Sequence, residues 1–207
     1  MFDRFLERFK VDGLPDKKEG ASFKIPFEVE GLQLWLERYA GCSFNQGLYR
    51  AHSVEQINLW NKLVGDNYPD LKGKVFCFGY DWSGRQFALD FSRMDQGEPL
   101  VTLLDPATGE AFEVPANFFQ FHSQELVDEP ESALAQSYFR EWLVVENRPL
   151  QPNECVGYKV PLYLGGKDEM ENMEVTDLEV YWTLSGQMLE QIKDLPAGTS
   201  ISNIFTN

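Results

Sequence analysis

Along this chain the spacing of hydrophobic and polar positions changes several times, and each change marks an element. Phe2, Phe5, Leu6 and Phe9 recur at helical spacing with charges between them. They predict a short amphipathic helix with its aromatic stripe turned inward. Residues 11–20, with Pro15, two glycines and several charges, read as a loop. Residues 23–29 are expected to hold a short strand broken at Pro26. Leu32, Leu34, Trp35, Leu36 and Tyr39 mark a helix that stops at Gly41, a residue suited to the position just past a helix. Residues 47–51 read as a strand. Ser53, with Gln56 three residues on, has the capping-box pattern for a helix with Ile57, Trp60, Leu63 and Val64 on its apolar face.

The strongest pattern lies at residues 75–91. Val75, Phe76, Cys77 and Phe78 are apolar and β-favouring. Phe87, Leu89 and Phe91 alternate with Ala88 and Asp90, so this return strand is expected to bury one face and expose the other, with Asp90 outward. Between the two runs, Gly79 and Asp81-Trp82-Ser83-Gly84 supply turn chemistry. Residues 94–99 form a turn, 99–105 a strand, Asp105-Pro106-Ala107-Thr108-Gly109 a turn and 111–114 a returning strand. Four strands with short links make an antiparallel meander.

A helix is predicted from about Asn117 to Leu126, with Phe118, Phe119 and Phe121 as core candidates. A second follows Pro130 and runs to about Val145, with Leu134, Tyr138, Trp142 and Val145 inward. Residues 148–154 connect, 156–166 are apolar up to a double glycine, and 167–174 are a charged loop. Residues 178–182 read as a strand and 183–193 as a helix ending before Pro196. The fold class is therefore α+β, an antiparallel meander sheet packed by several α-helices. Residues 1–115 carry the first helices and the sheet, and 116–207 a helical, acidic part, either a second unit or continuous with the first.

At 207 residues the chain is long enough to bury roughly 70% of its unfolded surface. Charge adds more than size does. With 18 Lys and Arg against 33 Asp and Glu, the formal net charge is −15. This disfavours nucleic acid and anionic membrane as partners and favours either a basic partner or plain solubility. Residues 120–207 hold 15 acidic and 5 basic residues, whereas 1–119 hold 18 and 13, so the C-terminal part is the acidic one. The three cysteines form no C-x-x-C pair, and their odd number argues against a disulfide framework. No signal-peptide pattern or membrane-spanning run is visible, which points to a reducing cytoplasm.

Catalytic patterns find little support. His52 and His122 lie in no metal-binding spacing, and Ser123 beside His122 belongs to no nucleophile elbow. Asp81 and Asp90 flank the hairpin turn, but turn and outward strand roles account for them. Residues 168–171 resemble a sparse cation loop without the alternation or central glycine of an EF-hand. Gly165-Gly166-Lys167 lacks the phosphate-loop spacing and is followed by two acids, so it reads as a turn. No catalytic residue, metal ligand or cofactor is expected. The competing classes are a ligand-binding or regulatory module, with a pocket lined by Tyr80, Trp82 and Tyr158, and an enzyme of unrecognised type.

The run from Phe78 to Asp90, the segment Leu103-Leu104-Asp105-Pro106-Ala107-Thr108-Gly109-Glu110 and the helix opening Ala116-Asn117-Phe118-Phe119 together resemble the SUKH superfamily of bacterial immunity proteins. Gly47-Leu48-Tyr49 ahead of a Trp-containing helix looks like a GAD-like module. Gly157-Tyr158-Lys159-Val160-Pro161-Leu162-Tyr163-Leu164-Gly165-Gly166, followed by Asn172, looks like the C-terminal domain of immunity proteins paired with type VI secretion DNases. The resemblance spans roughly residues 30–190, and the order of its motifs is better evidence than any one of them. It implies neutralisation of a cognate toxin, a basic nuclease, by direct binding. Candidate contact residues are Asp128, Glu129, Glu131, Asp168, Glu169, Glu171 and Glu174, all in predicted loops, where binding residues concentrate. Taken singly, each is more readily a solvated surface acid than a contact.

Overall fold

The computed structural model describes residues 1–13, 25, 27–193 and 195. Its centre is a seven-stranded antiparallel sheet whose strands lie side by side in chain order. β1 (Val11–Gly13), β2 (Ser43–Phe44) and β3 (Tyr49–Ala51) are short, and β4 (Val75–Asp81), β5 (Gln86–Asp95), β6 (Glu98–Asp105) and β7 (Glu110–Asn117) form the expected meander. A separate pair, β8 (Glu154–Tyr158) and β9 (Met173–Asp177), is also antiparallel. The helices are α1 (Asp3–Arg8), α2 (Leu32–Tyr39), α3 (Ile57–Asn67), α4 (Phe118–Gln120), α5 (Leu126–Asp128), α6 (Pro130–Leu134), α7 (Gln136–Glu146) and α8 (Leu178–Ile192). A π-helical turn, Phe121–Glu125, joins α4 to α5. The architecture is α+β.

Two apolar clusters sit on opposite sides of the sheet. Phe76, Phe78, Phe87 and Leu89 belong to one, with Phe5, Trp35, Phe118 and Phe121 from α1, α2, α4 and the π-helical turn. Val75, Cys77 and Ala88 belong to the other, with Trp60 and Val64 of α3 and Leu178, Tyr181 and Trp182 of α8. Neighbours along a strand face opposite ways, so β4 and β5 are covered on both sides. This overturns the expected one-sided strand. Residues Gln86–Asp90 are all buried, and Asp90 faces inward, accepting from the Ser92 amide and hydroxyl.

Five local expectations are also corrected. Residues 11–13 form a strand where a loop was expected, because Lys10 and Asn45 exchange hydrogen bonds that lay β1 along β2. Ser53 does not cap α3: its hydroxyl bonds the Gln56 side chain and the helix starts at Ile57. The capping box is instead at Asn117 and Gln120, each side chain meeting the other's amide. Residues 178–182 are helical, because Asp177 accepts from the Val180 amide and Leu178, Tyr181, Trp182 and Ser185 form one buried face. The helix expected over 130–145 is two helices, broken at Ala135, whose φ is +48°. The break re-phases the second, so Phe139 and Trp142 point inward and Val145 faces solvent. Of the strand expected over 23–29, Phe23 and Pro26 lie outside the described residues, and Ile25 and 27–29 are not in a strand.

The β4–β5 turn is internal. Asp81 is fully buried. Its Oδ1 accepts from the Ser83 amide and hydroxyl and from the Arg85 amide, and its Oδ2 pairs with Arg85 Nε at 2.7 Å and Nη2 at 2.6 Å. Arg85 also donates to the Ala133 carbonyl and Trp82 Nε1 to the Leu134 carbonyl. The Trp82 carbonyl accepts from the Val156 amide, and the Gly84 carbonyl from Trp182 Nε1. Gly84 has φ +85°, and a Cβ there would lie 3.0 Å from Cys155 Sγ. Three parts of 116–207, at Ala133–Leu134, Val156 and Trp182, are thus docked on one turn.

His122 fills the corresponding place in the aromatic cluster. Its Nδ1 donates to the Phe118 carbonyl, so its Nε2 accepts from the Tyr49 hydroxyl at 2.9 Å. Rings of Phe2, Phe5, Trp35 and Phe78 surround it. Burial lowers its imidazole from 6.5 to about 3, and that of His52 to about 4.

Two outcomes follow from these contacts. Asp81→Ala leaves the Arg85 charge buried without its carboxylate and is expected to cost about 3–5 kcal/mol in urea unfolding, with the D81A/R85A double variant recovering part of the loss. Between pH 6.5 and 4 the unfolded chain binds protons at both histidines while the folded one does not, so stability rises with pH. Stability should therefore fall by about 1.4 kcal/mol per pH unit for each histidine as the pH drops through this window. Urea unfolding of His122→Gln at pH 7 and 5 checks this, since its slope should be smaller by one histidine's share.

Candidate partner-binding surface

Because the turn holds Ala133 and Leu134, it also sets the direction of α6 and α7. Tyr138 of α7 stands edge-on to Trp82, ring centres 5.9 Å apart. Val156, hydrogen-bonded to the same tryptophan, aligns β8, and β8 carries Tyr158 toward the loop of residues 159–172. That loop is closed by Asn172, whose side chain bonds the Val160 amide and the Val160 and Lys167 carbonyls. Gly166 packs so tightly there that a Cβ would overlap the Val160 carbonyl. The double glycine is a turn, with Gly165 at φ +84°.

The Tyr158 hydroxyl donates to Asp168, and Lys159 Nζ to the Glu171 carbonyl. Burial and then the Asp168 hydrogen bond raise the Tyr158 phenol. Burial raises the Tyr138 phenol too, followed by the charges of Asp168, Glu171, Glu141 and Glu169. These four carboxylates therefore gather about Tyr138. Glu131 is tied to the residue before Tyr138, accepting from the amide and hydroxyl of Ser137.

The seven acids picked out in the sequence are all exposed, but they do not form one group. Glu131, Asp168, Glu169 and Glu171 are brought together around the start of α7. Asp128 instead pairs with Arg4 at 2.7 Å and ties α1 to α5, with Glu129 beside it. Glu174 stands on β9, opposite Gly157. Glu141 and Tyr138 were missed. Tyr138 reads as core under helical spacing, and Glu141, three residues on in the same helix, is its neighbour.

The alternative pocket of Tyr80, Trp82 and Tyr158 is not formed. Tyr80 and Trp82 are buried, donating to the Pro152 and Leu134 carbonyls, and Tyr158 is held by Asp168. An open groove of about 660 Å³ lies elsewhere, lined by Phe27, Glu28, Glu30, Gln33, Glu37 and Glu98. Among the described residues no three His, Cys, Asp or Glu side chains are placed to hold a metal ion, and no helix is long and apolar enough to cross a membrane. Both histidines are buried, as are Cys42, Cys77 and Cys155.

The gathering of charge at Tyr138 can be measured directly. In the neutral variant D168N/E169Q/E171Q, the Tyr138 phenol is expected to titrate lower than in the parent protein while staying above the ordinary value because of burial. NMR titration of ring-labelled tyrosine reads this out, and an unmoved Tyr138 would place the carboxylates too far away to matter.

Three comparisons bear on this surface. Residues 116–189 match the family model described as T6SS immunity protein Tdi1, C-terminal. No curated protein matches the chain at a significant level. Among solved structures, the crystal structure of Atu4351 from Agrobacterium tumefaciens is similar, with a TM-score of 0.54 and 18% identity over 90% of this chain and 89% of that one. At that identity the likeness is one of fold. The matched span runs from the end of β7 into α8 and contains Glu141 and all seven acids picked out in the sequence. From residue 116 to residue 189, then, this chain is similar to the C-terminal domain of a type VI secretion immunity protein.

Proposed function

We propose that the protein is an immunity protein that binds a cognate type VI secretion toxin in the cytoplasm and neutralises it without catalysis. The carrying observation is the family match over 116–189, the span in which the fold gathers Glu131, Glu141, Asp168, Glu169 and Glu171 around Tyr138. A nuclease toxin supplies the complementary charge, since a groove that holds phosphates is basic. Acidic residues facing it speed encounter and set orientation. The buried histidines and thiols are in no position to meet a substrate, which favours binding over chemistry. No nucleic acid, membrane or cofactor enters this reading.

Calorimetry with the secreted toxin encoded beside this chain is the test. Binding is expected, weakening as salt is raised. Reversing three acids, in D168K/E169K/E171K, should weaken it on the order of tenfold or more and lower protection of toxin-expressing cells. Retained affinity and protection in that variant would move the interface away from Tyr138, and no binding by the parent protein would sink the immunity reading.

A further inference from the structure

The outer face of α7 carries an apolar pair that no described residue covers. Val144 is 82% exposed and Val145 73%. Helix propensity does not account for them, because β-branched residues lose rotamer freedom in a helix. Nor does the core, since Phe139 and Trp142 already fill the inward face of the same helix. The pair sits in the last turn, just before Asn147 closes the helix at φ +53°.

Its neighbours give it a direction. Tyr138, Glu141 and Val145 fall at i, i+3 and i+7 and form one stripe, and Val144 lies three residues from Glu141. The stripe leads from the valines to the carboxylates gathered about Tyr138. Glu146 is exposed directly after the pair. Arg140, also exposed, lies four residues before Val144, so the acidic field comes from the Tyr138–Glu141 flank.

We propose that Val144 and Val145 are the apolar centre of the toxin-docking surface. An apolar side chain of the toxin packs on the pair, and Lys or Arg residues around it meet Glu141, Glu146, Asp168, Glu169 and Glu171. This rests on the immunity reading and adds where affinity is concentrated. Rim charges mainly set on-rate and orientation, whereas a desolvated apolar centre carries a large share of binding energy. Charge also selects the occupant. A second copy of this chain, with a net charge of −15, would set like charges against this flank, and a basic protein would not.

The test is V144Q/V145Q, which removes the apolar surface without adding charge and puts better helix formers in the same turn. Against the toxin encoded beside this chain, the variant should lose affinity on the order of tenfold or more, with unchanged salt dependence, melting temperature and sedimentation. Unchanged affinity, with D168K/E169K/E171K still impaired, would overturn this inference and leave the immunity reading standing. If the parent protein binds no toxin, both fall. A lowered melting temperature would mean that the chain's own residues cover the pair, and a dimer of the parent that the variant dissociates would mean a second copy does. Either result overturns the proposal.

Discussion

The buried pair of Asp81 and Arg85 is the constraint on which the rest of the structure depends. A carboxylate taken fully out of water is tolerated only when its lone pairs are filled and its charge is answered. Here one oxygen takes three hydrogen bonds from the turn itself and the other takes the guanidinium. The turn is thereby held in one shape. Its outward groups, the Trp82 and Gly84 carbonyls, the Trp82 indole and the remaining Arg85 donor, become a fixed socket. The hairpin tip is an interior joint.

From that joint the candidate surface is laid out by ordinary geometry. The Ala133 and Leu134 carbonyls bind the socket, the chain turns at Ala135, and α7 leaves with Phe139 and Trp142 inward. Tyr138 is left half-buried against Trp82, where loop 159–172 brings its acids. Val145 falls outward with the same phase shift, and Val144 beside it lies on the face away from the buried Trp142.

Much of the fold was legible. Strong β-formers with short turns at 75–91 and 99–114 leave neighbouring antiparallel strands as the natural outcome, and the aromatic stripe of Phe2, Phe5 and Phe9 is buried as its spacing suggests. The exposure of the acids at 131, 168, 169 and 171 was legible from composition and from the loops expected to carry them. Their grouping was not, because residues some 30 positions apart meet only after β8 and α7 are both docked on Trp82. Likewise Asp90 alternates like an outward residue, and only the presence of α3 and α8 on that face turns it inward.

By itself, then, the sequence determined the α+β class, the meander and the excess of acid from residue 120 onward. These are local or summed properties, carried by neighbouring residues and by counts. The tertiary structure alone decided which faces of β4 and β5 are covered, that Asp81 and Arg85 are internal, and that Val145 is exposed. A left-handed residue at Ala135 has no signal in hydrophobic period, and its position is set by hydrogen bonds from a turn some 50 residues earlier in the chain.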